Sequence, residues 1–173
     1  MAKEEINSFD PIIPSKPKVL ILGSMPGVES LKLQQYYGHP QNAFWYAIAS
    51  LQSETNPPKT YKERIQLLLD NNIALWDVCK YCQRKGSLDS EIKNAKPNEI
   101  HKLLVEHPTI TTVLFNGQPP NKLYRKFFKP LPFIQYKVMP STSPTYATMR
   151  RSDKVEFWKK ELFVFYYLFS YLL

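Results

Sequence analysis

The groups best suited to chemistry lie in the stretch GSMPGVESLKLQQYYGHPQNAFW, residues 23–45. Gly23 and Gly27 bracket a turn that contains Pro26. Glycine lets backbone approach a ligand closely, and proline fixes the shape of the loop. Tyr36 and Tyr37 follow, then His39-Pro40, then Asn42 shortly before Phe44-Trp45. Flat ring faces and a neutral amide suit a flat, uncharged ligand such as a nucleobase. Further polar groups stand at the ends of apolar runs: Asp77, Asn116, and the cluster Pro140-Ser141-Thr142-Ser143-Pro144.

Other chemistries are poorly supplied. Cys79 and Cys82 are the only cysteines, spaced C-x-x-C. Two cysteines fall short of the ligand set of an iron–sulfur cluster or an all-cysteine zinc site. The histidines, His39, His101 and His107, show no metal-binding spacing. No metal or cofactor is expected. The cysteine pair leaves a thioredoxin-like redox role as a minor alternative. Two reduced thiols in a cytosolic protein is the plainer reading.

These groups need elements to hold them. The apolar run at residues 18–22 reads as a strand buried on both faces, since it lacks alternation. A helix is expected over residues 41–51, with Phe44, Ile48 and Leu51 on one face. Thr60 can cap a helix carrying Ile65, Leu68 and Leu69. Residues 73–78, 111–115 and 134–139 read as three further strands. Residues 80–94 are polar and read as a surface loop. Pro97 is placed to start a helix running to His107, and Pro119-Pro120 to start one over residues 121–128. Ser152 can cap the last helix.

Strands alternating with helices imply a three-layer α/β/α sandwich around a central four-stranded parallel sheet. In such sheets ligands bind at the carboxyl ends of the strands, and Ser24, Asn42, Asn116 and Ser143 are expected around one cleft there. The 173 residues suggest one domain, with an extended lead-in over 1–17 and an apolar helix or tail over 160–173. That tail is shorter than a membrane span needs, and the charged N-terminus does not resemble a signal peptide. The formal charge of +8 and pI near 9.4 favour a polyanionic partner.

The ordered set GSMPG, YYGHPQNAFW and MPSTSP resembles the uracil-DNA glycosylase superfamily, and within it the hypoxanthine-DNA glycosylase branch. HPQNAFW also resembles the mismatch-specific uracil/thymine glycosylases. The resemblance spans residues 18–150. It implies an enzyme that flips a nucleotide out of duplex DNA and cleaves the bond between base and sugar. It also implies roles for individual residues. Gly23, Ser24, Met25, Pro26 and Gly27 form the first base-binding segment. Most relatives carry a water-placing Asp or Asn there. Met25 stands at the matching position, and a thioether cannot activate water.

Asn42 occupies the place of the catalytic asparagine in the hypoxanthine branch, where it would orient the attacking water. Capping of the following helix is its alternative role. Tyr37 would stack on the base, with Tyr36 as competitor. His39 would donate to a phosphate or to the departing base, or serve structurally. Asp77 stands where relatives read uracil with an asparagine, a departure that argues against uracil as the main substrate. It could accept from the N1–H of hypoxanthine, act as general base, or cap its own loop. Asn116 would bond the base or a phosphate, or form an Asx turn. Pro140, Ser141, Thr142 and Ser143 would grip DNA phosphates, with Arg150 and Arg151 beside them. Tyr146 and Met149 would fill the gap left by the flipped base. Lys122, Arg125, Lys126 and Lys129 read as a solvated helix face.

The sequence therefore predicts a monomeric, monofunctional glycosylase acting on double-stranded DNA that contains a deaminated base, hypoxanthine first. Base excision repair is the setting, with no membrane association. A uracil or mismatch-thymine glycosylase is the alternative within the class. A nucleic-acid-binding protein that has lost catalysis is the alternative outside it.

Overall fold

The computed structural model describes residues 5–170, with side chains through residue 164. In chain order the elements begin with β1 (Glu5–Asn7), β2 (Val19–Gly23), α1 (Val28–Leu33) and α2 (Phe44–Ala49). Next come α3 (Tyr61–Asp70), β3 (Ile73–Asp77), β4 (Cys79–Gln83) and β5 (Lys93–Pro97). The chain closes with α4 (Ile100–Glu106), β6 (Thr112–Asn116), α5 (Gln118–Phe127), β7 (Gln135–Met139) and α6 (Arg151–Ser170).

Four of the strands form a parallel sheet in the order β3-β2-β6-β7. The apolar runs that gave no alternation are buried on both faces, as the sequence implied. Val19 and Ile21 of β2, Ile73 and Leu75 of β3, and Leu114 of β6 face one layer, with Phe44, Ile48, Leu68, Trp158 and Leu162. Leu20, Leu22, Ala74, Val113 and Phe115 face the other, with Ile100, Leu104 and Tyr124. The first layer is α2, α3 and α6; the second is α4 and α5. The expected three-layer architecture is present. Ile12 of the extended lead-in pairs with Leu75 along the otherwise open edge of β3, which covers that edge.

The main departure concerns residues 80–94. In place of a surface loop, β4 and β5 form an antiparallel ribbon, and β1 completes a second, three-stranded sheet in the order β1-β4-β5. Its core is small: Ile6, Met25, Cys79 and Cys82. A sheet that buries so few side chains needs few apolar residues, so its strands look polar in sequence. Pro97 accordingly ends β5 rather than starting a helix. Asn98 donates through Nδ2 to the carbonyls of Asp77 and Cys79, and α4 begins at Ile100.

Smaller corrections follow the same local logic. The helix expected from Gln41 begins at Phe44, because the Asn42 side chain takes the Phe44 N–H. The last helix begins at Arg151, which puts Ser152 inside its first turn, where its hydroxyl bonds Asp153. The Thr60 cap is present as a full capping box with Glu63. The apolar C-terminal run packs at Leu162, while Val164 is exposed; its later side chains lie outside the described residues. Among the described residues no helix is long and apolar enough to cross a membrane.

Candidate active site

The carboxyl ends of β2, β3 and β6 open into one cleft of about 350 Å³. Ser24, Asn42, Asn116 and Ser143 all line it, although they come from four separate segments. Gly23, Met25, Pro26, Gly27, Tyr37, His39, Asp77, Ser141 and Thr142 line it too. Pro140 and Tyr146 border an adjoining depression that shares Ser141 and Ser143 with the cleft. Arg150 lies on neither wall and is exposed beside them. Arg151 lies over the Tyr46 ring, 4.4 Å from its centroid.

The paired tyrosines separate cleanly. Tyr36 belongs to the core at 3% exposure: its hydroxyl donates to the Asp10 carbonyl, and its own carbonyl accepts from Trp45 Nε1. Tyr37 is half-buried, and Phe44 stacks on it at 3.9 Å between centroids. Phe44 thus covers one face of the ring. Tyr37 also holds φ at +52°, a left-handed conformation that a bulky residue adopts at a cost. The fold accepts that strain where it sets an aromatic ring against the cleft.

Asn42 donates its backbone N–H to the His39 carbonyl and accepts the Phe44 N–H on Oδ1 at 2.9 Å. This is a local turn bond at the entry to α2, whose N-cap is Ala43 with no side-chain cap bond. The same bond fixes the amide, leaving Nδ2 with no partner among the described residues. His39 accepts the Gln41 N–H on Nδ1, so the neutral ring carries its proton on Nε2.

Besides the Ala43 N–H, which donates to the Thr142 carbonyl at 3.0 Å, two anchors hold the loop that carries Ser141, Thr142 and Ser143. Asn116 makes a reciprocal pair with Thr142, donating from Nδ2 to Oγ1 and accepting the Thr142 N–H on Oδ1, each at 2.8 Å. The amide expected to bond the base or a phosphate, or to form an Asx turn, thus fastens this loop while it lines the cleft. The second anchor is α6. Lys154 donates to the Ser143 carbonyl at 2.7 Å, and Trp158 Nε1 to the Pro140 carbonyl at 2.8 Å. These residues are four apart and so share a helix face.

The ribbon supplies residues that sequence reasoning missed. The Ser24 hydroxyl donates to Asp89, and Ser87 accepts the Val28 N–H at 2.9 Å. Arg84, 2% exposed, donates from Nη2 to the Pro26 carbonyl and from Nε to the Gly86 carbonyl. Nothing in local spacing marks these residues; only the fold brings them to the first segment.

Asp77 is 4% exposed, and its Oδ2 has no hydrogen-bond partner. Burial and then the Asp89 carboxylate push its carboxyl up to about 8, against a smaller downward pull from Arg84. Burial also raises Asp89, offset by the Ser24 hydroxyl and Arg84. Asp77 is therefore largely uncharged near neutral pH and would not repel a departing base anion, unlike an ionised acid at this place.

The cysteine pair sits in the small apolar core, both residues fully buried. Burial pushes the Cys79 thiol up to about 12 and raises Cys82 as well. A redox nucleophile requires the opposite shift and access, so the redox alternative fails.

A Cβ at Gly23 would lie 2.4 Å from Asp77 Oδ1 and 3.2 Å from the Tyr37 hydroxyl. Neither neighbour is a free-swinging chain end. Gly23→Ala is expected to cost roughly 1–3 kcal/mol, the usual penalty of overpacking. A denaturation midpoint unchanged from wild type would contradict this close approach.

Comparison with known proteins gives the family of the chain. The model of the uracil DNA glycosylase superfamily matches residues 11–163. A hypoxanthine DNA glycosylase of Methanosarcina barkeri (strain Fusaro / DSM 804) is 41% identical over 110 residues, covering 64% of this chain and 70% of its own. One from Methanosarcina acetivorans is 34% identical over 135 residues, covering 78% of this chain and 84% of its own. The solution NMR structure of a chain from Methanosarcina acetivorans, described as a candidate uracil DNA glycosylase, superposes with a TM-score of 0.73. It is 29% identical and covers 91% of this chain and 98% of its own.

Proposed function

This chain belongs to the uracil DNA glycosylase superfamily, and on that footing we propose that it hydrolyses deoxyinosine in duplex DNA, releasing hypoxanthine. The observation that carries the reading is the meeting, in one cleft, of the Tyr37 ring, the fixed Asn42 amide and the buried Asp77 carboxyl. The names of the two curated relatives support the choice of base.

In the reaction the bond from C1′ to the base breaks and its electron pair leaves with the base. Water adds to C1′ and gives up a proton, leaving an abasic site. Tyr37 offers its ring for stacking, an interaction worth ~1–3 kcal/mol per base in single-strand binders. Asn42 holds the water through Nδ2 and the second lone pair of Oδ1. An amide cannot remove a proton near neutral pH, so this role is orientation. That suffices when the sugar has gained most of its oxocarbenium character before attack. Serine hydroxyls and backbone N–H groups of the loop held by Asn116, Lys154 and Trp158 meet phosphates, with Arg150 beside them. Among the described residues no lysine lines the cleft, which supports simple hydrolysis without a Schiff base or strand cleavage.

The test is a set of labelled duplexes carrying one inosine, one uracil or one G·T mismatch, treated with alkali after incubation. The inosine strand is expected to be cut at least about tenfold faster than the others, a discrimination that one well-matched polar contact can supply. Preferred cutting at uracil or at the mismatch would overturn the choice of base. Binding without cutting of any duplex would overturn catalysis itself.

A further inference from the structure

The structure places two carboxyl groups, Asp77 and Asp89, around the cleft with a single guanidinium, Arg84, among the charges nearby. One cation beside a buried acid and a half-buried one favours a single ionised carboxyl, because an uncompensated buried charge is costly. The hydrogen bonds decide which acid keeps its charge. Asp89 receives the Ser24 hydroxyl, a donor that favours a carboxylate. Asp77 receives no such donor, and its Oδ2 is buried without a partner. Tyr36, Tyr37, Tyr61 and Cys79 feel the Asp77 carboxyl electrostatically, and as phenols and thiols they are neutral or anionic, so none supplies a compensating cation.

We propose that Asp77 is the base-reading residue of this cleft and works in its protonated form. Its hydroxyl donates to the ring carbonyl oxygen of the flipped base, and its carbonyl oxygen accepts from the adjacent ring N–H. The proposal rests on the glycosylase reading above and deepens it. A neutral carboxyl presents one donor and one acceptor side by side, the complement of the lactam edge that deamination of adenine creates. An ionised carboxyl presents only acceptors and would oppose the carbonyl oxygen. As the glycosidic bond breaks, negative charge spreads to that oxygen, and the bond from the Asp77 hydroxyl strengthens without transferring its proton. A carboxylic acid held neutral by its site can act as a hydrogen-bond donor in this way. Asp89 then acts as a positioning residue. Its charge opposes ionisation of Asp77, while its bond to Ser24 ties the ribbon to the first segment.

The experiment is a pH profile of the single-turnover rate on an inosine duplex for wild type, Asp77→Asn, Asp77→Ala and Asp89→Asn. Wild type is expected to lose activity as pH rises through about 8, approaching tenfold per unit above it. Asp77→Asn keeps a donor beside an acceptor but cannot ionise. It should remain within roughly tenfold of the wild-type maximum and lose the alkaline fall, while Asp77→Ala sits about a hundredfold below the wild-type maximum with no alkaline fall of its own. Asp89→Asn removes the opposing charge and should move the fall to lower pH, a shift that a merely structural role would not produce.

Stability gives a second readout. A carboxyl raised by folding contributes stability that is complete below its unfolded value and lost as pH rises to the folded one. The melting temperature of Asp77→Asn relative to wild type should therefore climb between about pH 4 and about pH 8. Carbon-13 NMR of the wild-type carboxyls checks the ionisation without any variant. A flat wild-type profile, an alkaline fall that survives in Asp77→Asn, or an Asp77 carboxyl ionising below pH 5 would overturn the proposal while leaving the choice of substrate standing. A wild type that spares inosine at every pH would overturn both.

Discussion

Asn42→Ala is expected to cut an inosine duplex two to three powers of ten more slowly than wild type while still binding it. The figure follows from ~3–4 kcal/mol of transition-state stabilisation, the usual worth of one well-placed polar group. Binding should survive because Tyr37 and the loop of Ser141 to Ser143 are untouched. The substitution also removes the acceptor for the Phe44 N–H, which costs about 1 kcal/mol of stability, as loss of a cap does. Two further variants separate these effects. Asn42→Ser can keep the local bond to backbone but lacks the amide, so it should restore the melting temperature and not the rate. Asn42→Asp keeps the acceptor and can still hold water, so it should retain more activity than the alanine variant. Single-turnover rates, equilibrium binding and thermal melts on the same samples decide the matter. A normal rate in a normally melting Asn42→Ala would remove Asn42 from catalysis.

The sheet was legible in the sequence because its strands carry the strongest signal a chain can give. Val19 to Leu22 and Thr112 to Phe115 are buried on both faces, so every residue is selected for burial and the run stands out. The turn after β2 was legible for a different reason: Gly23 and Pro26 are punctuation that only a tight loop needs. The ribbon was not legible. Along β4 only Cys79 and Cys82 are buried, three residues apart, a spacing that breaks the alternation of a strand. A register shift beside Tyr81 accounts for the broken period. Arg84 and Asp89 could not be assigned to the site because their partners, Pro26 and Ser24, lie some sixty residues earlier. Asn116 illustrates a third limit. Its residue type suited either ligand or loop, and only the position of Thr142 shows that the loop takes two of its bonds.

Arg84→Ala is expected to destabilise the protein by roughly 3–5 kcal/mol, the range for stripping a partner from a buried charged cluster. Its guanidinium is almost wholly buried and donates to two carbonyls, Pro26 in the first segment and Gly86 in the ribbon. Hydrogen bonds from a charged donor contribute ~1.5–3 kcal/mol each, and both carbonyls would be left short of a partner. The same cation favours ionisation of Asp77 and Asp89, so its loss drives both acids further toward the neutral form. Arg84→Lys should recover only part of the stability. A lysine is a point charge on a flexible stem and cannot span two carbonyls with the planar fork of a guanidinium. Activity should follow stability until the variant is folded. In the folded fraction, the alkaline fall in rate should move to higher pH, opposite to the shift expected for Asp89→Asn. Denaturant titrations combined with pH–rate profiles test both parts. A stability change under about 1 kcal/mol would mean that the two loops are held by Ser24, Ser87 and Asp89 alone, and that Arg84 contributes only charge.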